Sequence, residues 1–292
     1  MMKLGIIANP KKYEVREVLS CTIKWAKKHE VSLYINAEVC EETELNNAGI
    51  LHKTDSDIES IKAADIILVM GGDGTILYTA RVSKDFHKPI LGINSGRLGF
   101  MANTQIEELE QALDCLLNNN YTLDKRSFLK ATDNEGNIYH ALNEFLFTRK
   151  DSISMVNVTA EYDGSLINTY WADGLIVASP TGSTAYSLAS GGPIVAPGTE
   201  IFLVTPINPH TLTTRPLVLN STKSLRITIE KQNSEVLFSY DGKVHEIEQF
   251  PFIVEILKSD LTFNLVHLPG HDYFETLRNK LMWGMDRRRN IN

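Results

Sequence analysis

An α/β domain built on a parallel sheet, followed by a β-rich domain and a closing helix, is the fold class this sequence predicts. Three observations carry it. Residues 1–120 alternate apolar strand-like runs with helical periodicity, residues 121–268 change to short alternating segments broken by Asp-Gly turns, and a helical pattern resumes within 269–292. At 292 residues with 43% apolar side chains, the chain is long for one compact domain and comfortable for two.

Leu4 to Ala8 is an apolar burst that stops at Asn9-Pro10, as a buried opening strand does. From Val15, the residues Val18, Leu19, Thr22, Trp25 and Ala26 recur at helical spacing, and Lys27 and Lys28 fall where the helix dipole favours cations. Val31, Leu33 and Ile35 alternate with polar neighbours. Ile66 to Met70 is continuously apolar and runs into a glycine-rich turn ahead of a helical stretch, Ile76 to Val82; Pro89 to Ile93 repeats the apolar pattern. Apolar strands separated by helices imply right-handed βαβ units and therefore a parallel sheet. In the second part, Leu225–Ile229 and Val236–Tyr240 read as strands, and Asp163-Gly164 and Asp241-Gly242 as hairpin turns. After Pro269-Gly270, Asp272 with Glu275 resembles a capping box, Phe274, Leu277 and Leu281 share a face, and Gly284 offers a stop.

A net charge of −7, with its one basic run at Arg287–Arg289, argues against a nucleic-acid-binding surface, which needs clustered Lys and Arg. Cys21, Cys40 and Cys115 form an odd set without metal-ligand spacing, so neither a disulfide framework nor a zinc site is expected, and a reducing compartment fits. The first apolar stretch is too short for a signal peptide, and no run approaches a membrane span. The expectation is a soluble cytoplasmic protein.

Chemistry concentrates in a few segments. Gly71-Gly72-Asp73-Gly74-Thr75 sits at a strand-to-helix turn, where bare backbone and free N–H groups favour an anion such as a polyphosphate. Gly71, Gly72, Gly74 and Thr75 are the candidate phosphate seat. Asp73 would be repelled by bound phosphate unless it handles a proton or a metal ion; Asp-Gly is also ordinary turn chemistry. The G-x-x-x-x-G-K-[ST] loop and the G-x-G-x-x-G fingerprint are both missing. Asn94 to Phe100 follows the next strand and again puts glycines at a sheet edge. Asn143-Glu144 interrupts the strand-like segment Ala141 to Thr148 and suits either a ribose diol or a solvated strand face with a bulge. In Ala172 to Ile194, a short strand, Leu175 to Ala178, leads into seven small residues and prolines, Ser179 to Ala185. These must be held by hydrogen bonds, internal or to a ligand; Tyr186 beyond them could stack on a base or anchor the loop.

Taken together, GGDGT at 71–75, NSGRLGF at 94–100, NE at 143–144, ADGLIVASPTGSTAYSLASGGPI at 172–194 and PHTLTTRPLVL at 209–219 resemble the NAD kinase family, in the family's order over most of the chain. GGDG alone also occurs in diacylglycerol and sphingosine kinases and in phosphofructokinases; the block at 172–194 is the specific part. The resemblance implies an α/β domain over 1–120, a β-rich dinucleotide-binding domain over 121–268, and a C-terminal helix and tail, 269–292, packing back on the first domain, with the site between the domains. It implies that Asp73 takes the proton from the adenosine 2′-hydroxyl of NAD, with Gly74 beside it, and that Asn143 and Glu144 bind ribose. By the same resemblance Asp173 and Thr184, Ala185, Tyr186, Ser187, Leu188 and Ala189 hold the dinucleotide, Tyr186 against the adenine. Phe100, Trp171 and Lys243 complete the implied substrate-binding set. Lys243 stands where many relatives carry Gln, and Trp171 where many bacterial relatives carry Arg, so no charge-based contact carries over at Trp171.

The implied reaction is in-line phosphoryl transfer from ATP, or another donor such as polyphosphate, to NAD, giving NADP, with a divalent cation, Mg²⁺, on the donor phosphates. The implied partners are NAD, ATP and further copies of the chain in a homodimer or homotetramer, with no nucleic acid and no membrane. Two rivals remain at this stage. A lipid kinase sharing GGDG would need an apolar groove or a basic amphipathic helix, and none is evident. A non-catalytic NAD(H) or NADP(H) sensor could keep the 172–194 block while losing Asp73, which this chain retains.

Overall fold

The apolar runs of the first 120 residues lie side by side as strands. The structure is a computed structural model and describes residues 1–9, 14–42, 49–94, 99–102, 104–150 and 154–282. Pro10, Ser95 to Leu98, Gly284 and Arg287–Arg289, singled out in the sequence, lie outside the described residues. Two compact units form: Met1–Lys125 together with the chain from Phe263 onward, and Arg126–Thr262.

In the first unit, β1 (Lys3–Ala8), α1 (Glu14–Lys28), β2 (Ser32–Asn36), α2 (Ala37–Glu42), β3 (Leu51–Thr54), α3 (Asp57–Ala63), β4 (Ile66–Met70), α4 (Asp73–Ser83), β5 (Pro89–Ile93) and α5 (Leu109–Leu117) follow one another. The strands are parallel in the order β5-β4-β1-β2-β3. The order reverses between β1 and β4, so the turn after β4 opens at a switch point, where α/β sheets gather ligands beyond the strand ends. All five residues of β4 are buried, as a strand covered on both faces requires. Val15, Val18, Leu19, Thr22, Trp25 and Ala26 form the buried face of α1, and the Trp25 indole N–H donates to Asp114 of α5 at 2.8 Å. The helix expected from Ile76 starts three residues earlier, because Gly72 takes the cap position and Asp73 the first turn.

The second unit is a two-layered β structure of β6 (Thr122–Asp133), β7 (Ile138–Ala141), β8 (Glu144–Arg149), β9 (Val156–Tyr162), β10 (Ser165–Ala172), β11 (Gly174–Ala178), β12 (Ile201–Ile207), β13 (Leu217–Asn220), β14 (Leu225–Ile229), β15 (Val236–Tyr240), β16 (Lys243–Glu246) and the start of β17 (Phe252–His267). A single helical turn, α6 (Tyr186–Ala189), lies between β11 and β12. One sheet is antiparallel in the order β13-β12-β11-β8-β15-β16; β10, β9, β14 and residues 252–256 pair antiparallel in the other. Phe145, Phe147 and Phe238 from the first sheet share a core with Val158, Ile227 and Val254 from the second. At both Asp-Gly turns the two residues have positive φ, 52° and 77° at 163–164 and 46° and 79° at 241–242, as tight hairpins demand. The strand expected over Ala141 to Thr148 is broken instead: β7 ends at Ala141, β8 starts at Glu144, and Leu142-Asn143 form a bend.

On returning to the first unit, Asn264 and Leu265 at the end of β17 lie parallel to Pro89 and Ile90 of β5. Helix α7 (Tyr273–Leu281) follows, its Asp272 cap accepting from the Phe274 N–H at 3.1 Å. Leu277 is buried, but Phe274 and Leu281 are exposed, so the apolar face expected for this helix is only partly used. The helix ends before Gly284, at Met282, whose φ of 52° is left-handed.

Candidate active site

The turn between β4 and α4 is shaped by close approach of backbone and side chains. Gly71 N–H donates to the Ile93 carbonyl of β5 at 2.9 Å, and a Cβ on Gly71 would lie 2.3 Å from Thr75 Oγ1. Gly72 caps α4 without a side chain, and a Cβ on Gly74 would meet nothing within 4 Å. Gly74 is therefore not demanded by packing; its bareness leaves room at a helix N-terminus, an arrangement suited to phosphate. Beside it opens a cavity of ≈ 380 Å³ bordered by Asn36, Asp57, Gly74, Thr75 and Tyr78, in which the Tyr78 hydroxyl donates to Asp57 at 2.8 Å.

Asp73 is held by four donors. Its Oδ1 accepts from the backbone N–H groups of Met101 and Ala102 at 3.0 and 3.2 Å, and its Oδ2 from Phe100 N–H at 2.9 Å and from the Lys280 ammonium of α7 at 3.1 Å. Gly99 makes this docking possible, since a Cβ there would stand 2.3 Å from Asp73 Oδ1. Burial alone would raise the pKa of this carboxyl, but the three N–H groups and the Lys280 charge outweigh it, and the pKa falls below the ordinary 3.8. Asp73 is thus an ionised acceptor at neutral pH. Phe100 contributes both its N–H and its ring, with Lys280 Nζ 4.4 Å from the ring centroid.

In the second unit, Asn143 lies in the bend between β7 and β8 and Glu144 opens β8. The Asp241 carboxylate accepts from the N–H groups of Leu142, Asn143 and Glu144 at 2.6, 2.8 and 3.3 Å. From another side, Ser179 N–H donates to the Asn143 carbonyl at 2.8 Å and Ser179 Oγ to the Leu142 carbonyl; a Cβ on Gly182 would lie 2.2 Å from Asn143 O. The backbone is clamped, but the side chains are not: Asn143 Oδ1 and Glu144 Oε2 are buried without a hydrogen-bond partner. Such atoms are costly to leave unpaired. Burial, and then the charge of Asp241, push the Glu144 carboxyl up to about 8.

Most of the small-residue block is held internally. Ser183 Oγ donates to Pro180 O at 2.7 Å and accepts from Val195 N–H at 3.1 Å, while Ser187 Oγ and Thr205 Oγ1 are bonded at 3.0 Å. Of the residues 184–189, Tyr186 and Ala189 face outward, Thr184, Ala185 and Leu188 are half-buried, and Ser187 is turned inward. Asp173 is already engaged, by Arg149 Nε at 3.1 Å and by the Asn208 amide at 3.0 Å. The exposed Trp171 ring lies against His210, centroids 4.2 Å apart, so an aromatic pair stands at this position. Lys243 is exposed and leans on the Tyr240 ring at 5.7 Å. The sequence reading missed Arg149, Ser179 as a clamp, Asp241 as more than a turn residue, and Lys280. Each acts on a residue far away in sequence, which periodicity does not report.

Known proteins resemble this chain in sequence and in fold. A family model described as the ATP-NAD kinase N-terminal domain matches residues 4–121, and one described as the ATP-NAD kinase C-terminal domain matches residues 142–268. An NAD kinase of Cytophaga hutchinsonii is 44% identical over 227 residues, 77% of each chain, and one of a Thermoanaerobacter species is 36% identical over 285 residues, 96% of this chain and 99% of the relative. Among solved structures, an Archaeoglobus fulgidus NAD kinase in complex with ATP superposes with a TM-score of 0.73 at 26% identity, covering 96% of this chain and 99% of the other. A yeast NADH kinase complexed with NADH gives 0.89 over 98% and 89%; at 24% identity that likeness concerns the fold alone. On these matches, spanning both units, the chain belongs to the NAD kinase family.

Proposed function

We propose that this chain transfers a phosphoryl group from ATP to the adenosine 2′-hydroxyl of NAD, giving NADP and ADP. The observation that carries the reading is Asp73: an ionised carboxylate fastened by backbone N–H groups at the start of α4, within the glycine turn suited to phosphate. Phosphoryl transfer asks little covalent work of a protein and much positioning. Asp73 accepts the proton of the attacking hydroxyl, and the N-terminus of α4 with Gly74 receives donor phosphate. Asn143 and Glu144 supply the ribose seat. At neutral pH Glu144, with its raised pKa, is protonated in the free protein and both donates and accepts, which matches a vicinal diol. Tyr186, 42% exposed, offers its ring to the adenine.

A divalent cation, Mg²⁺, accompanies the donor phosphates in this reading. Among the described residues no group of three or more His, Cys, Asp or Glu side chains could hold a metal ion, so the side chains form no built centre for it and no step is assigned to it. No helix of the described residues is long and apolar enough to cross a membrane, and the free thiols of Cys21, Cys40 and Cys115 suit a reducing cytoplasm. Self-association through the second unit is supported by its sheet edges, where β13 exposes Leu217 and Val218 and β16 exposes Val244. Light scattering at micromolar concentration is expected to give a dimer or tetramer; a monomer alone would refute that assembly.

Asp73→Asn keeps the size of the side chain and removes the base, so turnover is expected to fall about 10² to 10⁴-fold with little change in NAD affinity. NADP formation followed against Mg²⁺ concentration checks this. Wild-type turnover would remove Asp73 from the chemistry, and rescue by excess Mg²⁺ would make it a metal ligand instead. Tyr186→Ala is expected to weaken NAD binding by roughly 1–3 kcal/mol, the scale of base stacking on an aromatic ring. Calorimetric titration showing unchanged affinity in a folded variant would return Tyr186 to a structural role.

Glu144 makes a pH-dependent prediction. Its carboxyl titrates near 4.5 in the unfolded chain and at about 8 in the fold, so its protonated form is the one the fold favours. Its contribution is fully present below pH 4.5 and is lost as pH rises towards 8, because the unfolded chain gains from ionising first. Glu144→Gln imitates the protonated acid at every pH. Denaturant unfolding of the variant should match wild type at pH 4 and exceed it by on the order of 2 kcal/mol at pH 8. Parallel stability curves across this range would contradict the raised pKa.

A further inference from the structure

The carboxylate of Asp73 has no direction left for an incoming hydroxyl. A carboxylate offers about four lone-pair positions, and the N–H groups of Phe100, Met101 and Ala102 with the Lys280 ammonium occupy them, two donors on each oxygen. If Asp73 is the base, as the proposed function holds, one donor must leave when the acceptor arrives. The backbone donors are tied into a turn closed by Gly99 N–H to the Ala102 carbonyl at 3.0 Å. Lys280 differs from them: it is a side chain on a flexible stem, in the last turn of α7, with 30% of its surface exposed.

We propose that Lys280 is an exchangeable counter-ion, paired with Asp73 in the free enzyme and handed to the donor's phosphoryl oxygens when the acceptor hydroxyl takes its place on Asp73 Oδ2. The distances allow the exchange. A hydroxyl bonded to Asp73 lies about 3 Å from Oδ2, and an attacked phosphorus lies roughly 3–3.5 Å beyond that hydroxyl. Lys280 Nζ starts 3.1 Å from the same oxygen, so a shift of a few ångström brings it against the phosphoryl group. The Phe100 ring, 4.4 Å from Nζ, flanks the ammonium and offers it a second partner while it moves. During transfer the 2′-oxygen–phosphorus bond forms as the bond from phosphorus to the ADP oxygen breaks, and the hydroxyl proton passes to Asp73. Lys280 stays protonated throughout; its charge moves from a carboxylate being neutralised to a phosphoryl group whose charge must be stabilised. This makes it a catalytic residue acting on the reacting phosphoryl.

The test compares Lys280→Met and Lys280→Arg with Asp73→Asn, using initial rates over ATP and NAD concentrations, pH profiles and thermal melts. Lys280→Met is expected to lower kcat about 10²-fold while KM for NAD stays near wild type, and Lys280→Arg to recover a substantial part. The acid limb of kcat/KM should move to higher pH in the Met variant. Lys280 is the charged side chain among the described residues that acts on Asp73, the other donors being backbone N–H groups, and its loss lets the Asp73 pKa rise. A folded Lys280→Met protein with wild-type kcat and ATP KM, beside an inactive Asp73→Asn, overturns the lysine's role and leaves the base intact. An active Asp73→Asn overturns the base and the exchange with it. A slow Met variant with no recovery by Arg and an unmoved acid limb assigns Lys280 to packing and also overturns the proposal. If the Met variant melts early, Lys280→Gln replaces it under the same criteria.

Discussion

The first unit is organised around one electrostatic constraint: a half-buried carboxylate at a helix start must be surrounded by donors. Asp73 meets it with three backbone N–H groups in succession, 100 to 102, and one ammonium. Nearly every local feature serves that arrangement. Gly99 has no side chain because Asp73 Oδ1 occupies the space, and Gly71 has none because Thr75 does. The apolar runs of β4 and β5 bring the two turns together, with Ile67 to Met70 in register with Ile90 to Ile93. The core supplies the platform, and the carboxylate is its point.

The second unit uses the same device with the opposite electrostatic result. Asp241 gathers three N–H groups at 142–144 and stiffens the bend, and its negative charge then falls on the adjacent, half-buried Glu144. Asp73 is held ionised and Glu144 protonated. Two titratable groups driven apart by their surroundings are a common signature of divided chemical roles, in the proposed reaction a proton acceptor and a diol-binding acid. Leaving Asn143 Oδ1 and Glu144 Oε2 unpaired costs stability in the free protein. A ligand that pairs them recovers it.

Sequence patterning was informative where structure follows from neighbours. Ile66–Met70, Leu225–Ile229 and Val236–Tyr240 are strands with the bounds their apolar patterns indicate, and both Asp-Gly turns have the backbone those residues favour. Family resemblance brought forward Asp73, Asn143, Glu144 and the 172–194 block, whose roles local pattern left open. What stayed hidden is long-range. The bend at Asn143 looked like strand because its clamp, Asp241, is 98 residues away, and Lys280 looked like an ordinary helix residue although its partner lies 207 residues earlier. The short helix α3, capped by Ser56, carried too little periodicity to be noticed. Phe274 and Leu281 followed helical spacing, yet the helix end leaves them exposed.

The central claim is that this chain phosphorylates one hydroxyl on a dinucleotide. Its most direct test is the product. Purified protein is incubated with NAD, ATP and Mg²⁺, and NADP is read with a dehydrogenase specific for the 2′-phosphorylated cofactor, with ADP measured in the same samples. The account predicts NADP and ADP formed in equal amounts. ATP left unspent in the presence of NAD, or phosphate delivered to a diacylglycerol or to another position of the dinucleotide, would contradict it.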